Sequence, residues 1–408
     1  MRIASINMIH TGSTGKIMLG IAECTRTQHH EAFTFSPNIY YVGGKMEKPE
    51  IEGHMFFGYT KENMLHLALS QATGIFECFS WFGTRQLIRR LEQIKPDIIH
   101  LHNLHNNSLN VRSLFRYIKR KQIKVVWTLH DCWAVTAKCP YFVVAKCDKW
   151  KTGCHHCPCL REYPKTYVDQ TKLMWKMKNR WFADVKDMVI VTPSMWLANI
   201  VKCSYLAKYP VKVINNGIDL NLFAPTYGDV CQRYAILEDK HIILGVALGW
   251  ETRKGLDVFL ELAKRLPQQF QIVLVGTSDA MDQILPKNII SIHHTQNQHE
   301  LAELYTAATL FVNPTREDNF PTVNIESIAC GTPVVTFETG GSPETLDDTC
   351  GVVIPCDDVD ALEAAILRVC EEKTFSQEAC LTRAKRYDKN DKFRDYVDLY
   401  EELMKRDK

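Results

Sequence analysis

The sequence contains no uninterrupted run of about 18 apolar residues, the length that a membrane-spanning helix requires. It also has little excess charge, since 49 lysines and arginines face 47 acidic residues, so no overall field attracts nucleic acid. The first residues, Met1–Met8, lack the long apolar segment of a secretory signal. Repeats and low-complexity segments are absent as well. These absences favour a cytoplasmic globular protein and disfavour a dedicated nucleic-acid binder.

Cysteine, in contrast, is abundant, with 15 among 408 residues. Without a secretory signal, clustered cysteines indicate a metal site rather than disulfides. Cys154 and Cys157 have the C-x2-C spacing of a zinc knuckle, and Cys139 and Cys147 could complete a tetrahedral structural zinc site. Cys159 lies in the same stretch. Free buried thiols are the alternative, because the spacing upstream of Cys154 is unusual for a knuckle.

Short apolar runs alternate with amphipathic stretches of helical length, which is typical of parallel α/β domains. Strands are predicted at 3–7, 97–101, 125–129 and 188–192, and in a second series at 242–248, 271–275, 289–293, 310–313, 333–337 and 352–354. Helices are predicted at 84–94, 111–121, 256–266, 299–308, 322–329 and 360–371. The predicted fold is two Rossmann-like, doubly wound domains facing across a cleft.

The domain boundaries follow from composition. An N-terminal domain is expected at 1–214, with a cysteine-rich insertion near 132–165. Asn215-Asn216-Gly217 begins a hinge at 215–235, and a C-terminal domain follows at 236–389. Residues 390–408 carry an apolar stripe, so we expect a terminal helix that docks back across the domains. Ligands bind doubly wound sheets beyond the carboxyl ends of the strands, so the loops after strands hold the candidate site residues.

Two such loops lie in the N-terminal domain. Gly12–Gly15 opens a helix, where backbone N–H groups could hold an anion, although an ordinary strand-to-helix turn would have the same glycines. His130 follows the strand at 125–129 and could donate to a substrate oxygen, with a purely structural histidine as the alternative.

Two further loops lie in the C-terminal domain. Arg253 and Lys254 precede Gly255, an arrangement suited to a diphosphate because its charge needs fixed cations. In the other loop, Asp318 precedes a helix that contains Glu326. Carboxylates so placed can bind sugar and ribose hydroxyls while the helix amides take phosphate.

A cationic and aromatic stretch, Lys172–Phe182, follows the cysteines. It could rest on an anionic membrane face, where a lipid-linked acceptor would lie. An amphipathic helix packed on its own domain is the alternative, because Trp and Met at helical spacing usually belong to a core.

Several segments together resemble the group 1 glycosyltransferases, which are retaining enzymes of the GT-B fold. They are Asp318–Glu326 followed by Ser-Ile-Ala-Cys-Gly-Thr-Pro-Val-Val-Thr, then Gly-Gly-Ser-Pro-Glu, the opening Gly-Ser-Thr-Gly-Lys, Leu-His-Asp, Val-Ile-Asn-Asn-Gly-Ile-Asp and Arg-Lys-Gly-Leu-Asp. The resemblance covers most of the chain. In that family the motif is a carboxylate, seven residues and then Glu.

The resemblance implies a role for each matching residue. Glu326 would bind the donor ribose, and Asp318, or Glu317 beside it, would bind the transferred sugar. Arg253 and Lys254 would neutralise the leaving diphosphate, and His130 would contact the reacting sugar. The remaining donor-binding residues would be Gly15, Asn319, Phe320, Thr322 and Val323.

The implied function is retaining transfer of a sugar from a UDP- or GDP-linked donor to a polysaccharide or lipid-linked glycan acceptor. Such enzymes work without a catalytic metal, and contact with the inner membrane face is expected from the acceptor class. Two alternatives remain from the sequence. One is a GT-B nucleotide-sugar epimerase, and the other is a non-catalytic scaffold stabilised by zinc.

Overall fold

The computed structural model describes residues 1–38, 50–237 and 239–406. The chain divides into two compact units, which we call unit 1 (Met1–Asn215 with Asn390–Lys408) and unit 2 (Asn216–Lys389). Within the described ranges, none of the helices combines the length and the apolar character needed to cross a membrane. Residues 407 and 408, the end of the predicted terminal helix, lie outside the described residues.

Unit 1 is built on a parallel sheet with the strand order β3-β2-β1-β4-β5-β6-β7 in its described part. The strands are β1 (Arg2–Ile6), β2 (Glu31–Pro37), β3 (His54–Phe57), β4 (Ile98–Leu101), β5 (Lys124–Thr128), β6 (Met188–Thr192) and β7 (Val211–Val213). The helices are α1 (Gly12–Thr27), α2 (Thr60–Thr73), α3 (Trp81–Ile94), α4 (Val111–Lys121), α5 (Thr171–Phe182) and α6 (Met195–Lys202).

Unit 2 repeats the same plan, with the order β10-β9-β8-β11-β12-β13 among its described strands. They are β8 (His241–Val246), β9 (Phe270–Val275), β10 (Ile289–Ile292), β11 (Leu310–Asn313), β12 (Val334–Phe337) and β13 (Gly351–Ile354). The helices are α7 (Val230–Arg233), α8 (Leu256–Arg265), α9 (Asp279–Asp282), α10 (Gln298–Ala307), α11 (Thr322–Ala329), α12 (Val359–Glu372) and α13 (Gln377–Ala384).

Both sheets are doubly wound, which confirms the predicted fold class. The central strands are buried on both faces, and each unit has one apolar cluster on either side of its sheet. In each sheet the strand order reverses once, between β1 and β4 in unit 1 and between β8 and β11 in unit 2. Loops leaving two neighbouring strands in opposite directions open a crevice at such a point, where ligands bind.

The terminal helix α14 (Lys389–Lys405) packs on the sheet of unit 1. Its predicted apolar stripe is buried and meets β-branched residues of β1, β4, β5 and β6. Gly20 of α1 makes room for it, since a Cβ there would lie 2.3 Å from the Phe393 ring. The C-terminal segment is therefore part of the core of unit 1.

Candidate active site

The loops after β8 and β11 meet at the strand-order reversal of unit 2. The Arg316 amide donates to the Arg253 carbonyl at 2.8 Å. The Lys254 Nζ donates to the Asp318 Oδ2 at 2.6 Å, and both side chains are about one-fifth exposed (21% and 22%). The sequence predicted all of these loop positions, and the structure brings Lys254 and Asp318 into direct contact.

Arg253 differs from Lys254 in its hydrogen-bond partners. Its guanidinium donates to the Glu317 carbonyl at 2.9 Å and to the Glu251 carboxylate at 2.8 and 3.0 Å. These bonds tie the loop after β8 to the loop after β11. Lys254 is thus the cation that faces the predicted sugar-binding carboxylate, whereas Arg253 fixes the two loops together.

The structure distinguishes the two adjacent carboxylates after β11. Glu317 is buried, with 2% of its surface exposed, while Asp318 reaches solvent. The backbone of Asp318 is held by the loop after β12, because the Gly341 amide donates to its carbonyl at 3.1 Å. Gly340 permits this approach: its φ is +57°, and a Cβ there would lie 1.8 Å from the Asp318 carbonyl oxygen. The glycine pair thus positions the accessible carboxylate.

The helix α11 presents its N-terminus at the same edge of the sheet. Thr322 and Val323 form its first turn directly after Pro321, which is typical of a helix start with open amides. Asn324 anchors the turn by accepting from the Asn313 amide at 2.7 Å and donating to the Thr345 hydroxyl at 3.0 Å.

Asn319 and Phe320 precede that helix and are both buried, at 8% and 3% exposure. The Phe320 ring packs edge-to-face on Tyr387. A donor contact by Phe320 would therefore come from its backbone. One turn into α11, the half-buried Glu326 accepts from the Tyr305 hydroxyl at 3.3 Å. Tyr305 is fully buried and was not found by sequence reasoning, since an aromatic on a core helix carries no functional signal.

In unit 1, His130 follows β5 and belongs to a row of histidine rings that contact one another. Its Nε2 lies 3.0 Å from His102 Nδ1, and the two rings stack. Behind them, His100 bonds the Thr128 hydroxyl at 2.8 Å and the Tyr400 hydroxyl at 2.6 Å. The terminal helix thus supports the imidazoles behind His130. This support joins segments that lie 300 residues apart, so no local motif of the sequence signals it.

Burial of the imidazole lowers the pKa of His130 to about 4, against the opposing charge of Asp131. Asp131 itself is oriented by His105 at 2.8 Å and by Asn103 at 3.1 Å. His130 is consequently neutral near pH 7, a state in which an imidazole can donate or accept a hydrogen bond at a substrate hydroxyl.

We expect the imidazole signals of His130 in nuclear magnetic resonance spectra to stay unchanged from about pH 8 to about pH 5. Free imidazole in the same sample reports the change in pH. The pKa of His130 in the folded state lies below the usual 6.5. The neutral imidazole therefore contributes fully to the free energy of unfolding above pH 6.5, and this contribution is lost as the pH falls from 6.5 towards 4. A midpoint near 6.5 for His130 would contradict the assignment of a neutral imidazole near pH 7.

Gly15 lies inside α1 rather than in an open loop. A Cβ there would lie 2.3 Å from the carbonyl carbon of His10, so the helix packs against backbone that only glycine admits. This close packing by itself explains why residue 15 is a glycine, so the glycine does not indicate a ligand. The structure places Gly15 and His130 in unit 1 and the other predicted donor and catalytic residues in unit 2.

The basic aromatic stretch forms α5, and its larger side chains point inward. Met174, Trp181 and Phe182 are buried in unit 1, and the Trp175 indole donates to the Trp150 carbonyl at 3.0 Å. Met174, Trp181 and Phe182 form part of the core, as Trp and Met at helical spacing usually do. Lys172, Lys176 and Arg180 of the same helix are exposed, so contact of its cationic face with a membrane stays a prediction.

Comparison with known families gives two matches along the chain. The family model described as "Glycosyltransferase Family 4" matches residues 74–222. The model described as "Glycosyl transferases group 1" matches residues 240–372, a range that contains Lys254, Asp318 and Glu326.

Among curated relatives, the putative colanic acid biosynthesis glycosyl transferase WcaC of Escherichia coli (strain K12) is 24% identical over 271 residues. That alignment covers 65% of each protein, so the chain spans just under two thirds of the relative's length. The D-inositol 3-phosphate glycosyltransferase of Streptosporangium roseum is 31% identical over 165 residues, covering 35% of this chain and 38% of the relative.

Solved structures resemble the whole chain. Sucrose-phosphate synthase from Thermosynechococcus elongatus superposes with a TM-score of 0.74 at 17% identity, covering 99% of both chains. The Anabaena protein HepE in complex with UDP superposes with a TM-score of 0.66 at 15% identity, covering 98% of this chain and all of that one. At these identities the likeness shows the shared GT-B fold.

Proposed function

Because the chain belongs to the group 1 glycosyltransferases, we propose that it transfers a sugar, with retention of configuration, from a nucleotide diphosphate sugar to a glycan acceptor. The observation that carries this proposal is the contact between Lys254 and Asp318 at the reversal point of unit 2. A cation suited to the diphosphate and an accessible carboxylate suited to the sugar hydroxyls lie side by side there.

The transfer step breaks the bond between the sugar C1 and the diphosphate oxygen, and negative charge develops on the departing diphosphate. Lys254 and the open amides of Thr322 and Val323 are the groups that would stabilise this charge. Asp318 would bind hydroxyls of the transferred sugar, and Glu326, held by Tyr305, would bind the ribose. No catalytic metal is needed in this scheme, because the Lys254 ammonium and the N-terminus of α11 would stabilise the charge on the departing diphosphate.

In unit 1 we assign His130 a substrate contact through its neutral imidazole. The imidazole can donate to a sugar hydroxyl without adding a charge near the reacting carbon. Asp131 stays bonded to its own partners, His105 and Asn103, so it orients the loop rather than attacking the substrate. Attack by the acceptor hydroxyl on the face of the leaving group would form the new C1–O bond, pass the hydroxyl proton to the departing diphosphate oxygen and give retention.

For the donor we propose a UDP- or GDP-linked sugar, and for the acceptor a surface polysaccharide or its lipid-linked precursor. The support for UDP is the resemblance to the Anabaena protein crystallised with UDP and with UDP-glucose. The support for the acceptor class is the match to a relative named for colanic acid biosynthesis.

The test is acceptor-dependent release of nucleoside diphosphate from UDP- and GDP-linked sugars, with the anomeric configuration of the product read by nuclear magnetic resonance. Release that depends on a lipid-linked glycan and gives the donor's own anomer supports the proposal. Conversion of the donor without any acceptor would instead identify an epimerase, and an inverted anomer would refute retention.

We further propose that unit 1 contacts the membrane face through exposed apolar residues of α2 and α3 rather than through the buried aromatics of α5. Leu65, Trp81 and Phe82 are 59%, 56% and 70% exposed, and large aromatics of this kind favour the bilayer interface. Glu62 joins the two helices, since its carboxylate accepts from the Phe82 amide at 2.7 Å. The surface would bring the enzyme to a lipid-linked acceptor.

We expect the double variant Trp81→Ser/Phe82→Ser to lose most of its sedimentation with phosphatidylglycerol vesicles, because the aromatic area that enters the bilayer interface would supply the binding energy. The matched control is Tyr227→Ser, which removes an 81% exposed aromatic from unit 2. Equal sedimentation of both variants and of the unaltered protein would refute this surface.

A further inference from the structure

The segment between β5 and α5 gathers five thiols around one small cavity. Cys139, Cys147, Cys154, Cys157 and Cys159 line it together with His155. The cavity has a volume of about 20 Å³, which holds a single water-sized occupant. In the described part of the chain these five cysteines form no disulfide, so disulfides do not account for the gathering.

The thiols of this cluster contact one another and nearby amides. Cys139 and Cys157 are joined by a side-chain hydrogen bond. The Ala137 amide donates to the Cys154 sulfur, and the Cys159 amide donates to the Cys157 sulfur. Two of the thiols that line the cavity are therefore already within hydrogen-bond distance of each other.

Two buried cations lie at this cluster: Lys138 lines the cavity, and Lys178 lies near Cys154. Lys138 and Lys178 are both fully buried. The Lys138 Nζ donates to the Glu162 and Pro164 carbonyls at 3.1 and 2.7 Å, and the Lys178 Nζ lies 3.5 Å from the centre of the Trp133 ring. Buried ammonium groups are costly without negative partners.

Negative groups face Lys178 from the rest of unit 1, namely Glu77 and Asp131, and Asp131 is itself paired with His105. Lys138 lines the cavity and donates to two carbonyls. A zinc ion with four thiolates carries a net charge of −2, and the Lys138 ammonium would offset part of it.

We propose that Cys139, Cys147, Cys154 and Cys157 bind one structural zinc ion. Four thiolates satisfy its tetrahedral preference and leave no open position for catalysis. Cys159 stays outside the ligand set, where its amide supports Cys157. Within the described residues, the ligand atoms that all lie within 4.8 Å of one another are those of Asp279, Asp282 and His293, so zinc binding would require the four thiols to move closer together around the metal.

The zinc would order the loop that begins directly after His130. The Cys132 amide donates to the Pro140 carbonyl at 3.0 Å, and the Thr136 hydroxyl donates to the Cys139 carbonyl at 2.6 Å. Fixing Cys139 therefore fixes the strand end that carries Asp131. The metal is a positioning device for the His130 loop and touches no substrate.

The experiment is elemental analysis of the full-length protein, purified without chelator, alongside single serine variants. We expect about one zinc per chain in the unaltered protein and less than about 0.2 in Cys154→Ser and Cys157→Ser. Cys159→Ser and Cys203→Ser, the latter an exposed thiol of unit 1, should keep their zinc. Removal by a mercurial reagent and a chelator should lower the melting temperature of the unaltered protein, and added zinc should restore it.

If the ligand variants fail to fold, cobalt loaded into the unaltered protein replaces them as the readout. A tetrahedral thiolate site gives a thiolate-to-cobalt charge-transfer band. A folded protein without zinc that also develops no such band would overturn the proposal. Retention of zinc by both Cys154→Ser and Cys157→Ser would overturn the ligand assignment.

Discussion

Replacing Lys254 with methionine is expected to lower kcat by about 10²- to 10³-fold, the usual cost of removing one fixed group that stabilises developing charge. Methionine keeps the length of the side chain and removes the ammonium that lies 2.6 Å from Asp318. The effect should fall on kcat because the diphosphate gains charge as the C1–O bond breaks. Steady-state kinetics with the identified donor measure it.

The control for this variant is Lys264→Met, which removes an exposed lysine from α8 of the same unit. Its kcat should match that of the unaltered protein. Both partners of the Lys254–Asp318 pair are only about one-fifth exposed, so we expect its loss also to lower the free energy of unfolding, by about 1–3 kcal/mol. Full activity of Lys254→Met would remove this residue from the leaving-group site.

Replacing Glu326 with glutamine is expected to raise KM for the donor by about 10- to 100-fold, because a charged hydrogen bond contributes about 1.5–3 kcal/mol. The ribose lies away from the reacting carbon, so this contact stabilises the bound donor and the transition state alike. We therefore expect kcat to change little. A raised KM with an unchanged kcat would distinguish the ribose-binding role of Glu326 from the charge-stabilising role of Lys254.

The control is Glu371→Gln, on the exposed face of α12. Glutamine keeps the shape of Glu326 and still accepts a hydrogen bond from the Tyr305 hydroxyl, so the melting temperature should be unchanged. A Glu326→Gln variant with the KM of the unaltered protein would show that the ribose binds elsewhere. A large loss in kcat alone would move Glu326 to the reacting centre.

The architecture was predictable because both units bury their parallel strands on two faces. β6, β11, α4 and α11 lie at the predicted residues. The strands that the sequence did not reveal have local reasons. They are β2, β3 and β7. β2 mixes polar and apolar residues and ends at Pro37, β3 has only four residues and begins with His54, and β7 has only three residues. None of them contains the continuous apolar run that signals a buried strand.

The candidate site was predictable at the level of loops and not at the level of contacts. Spacing after strands indicated Lys254, Asp318 and Glu326, because the topology brings those loops to one edge of the sheet. The same spacing could not tell that Glu317 is buried, that Arg253 ties the two loops together, or that Tyr400 supports the histidines behind His130. Those facts depend on side-chain packing between distant segments.

The most direct test of the central claim is isothermal titration calorimetry with paired nucleotides: UDP and UMP, GDP and GMP, ADP and AMP. We predict that one base series binds, that its diphosphate binds more tightly than its monophosphate, and that Lys254→Met narrows this difference without weakening the monophosphate. If no nucleotide binds at millimolar concentration, or if Lys254→Met binds the diphosphate as tightly as the unaltered protein, the assigned donor site is wrong.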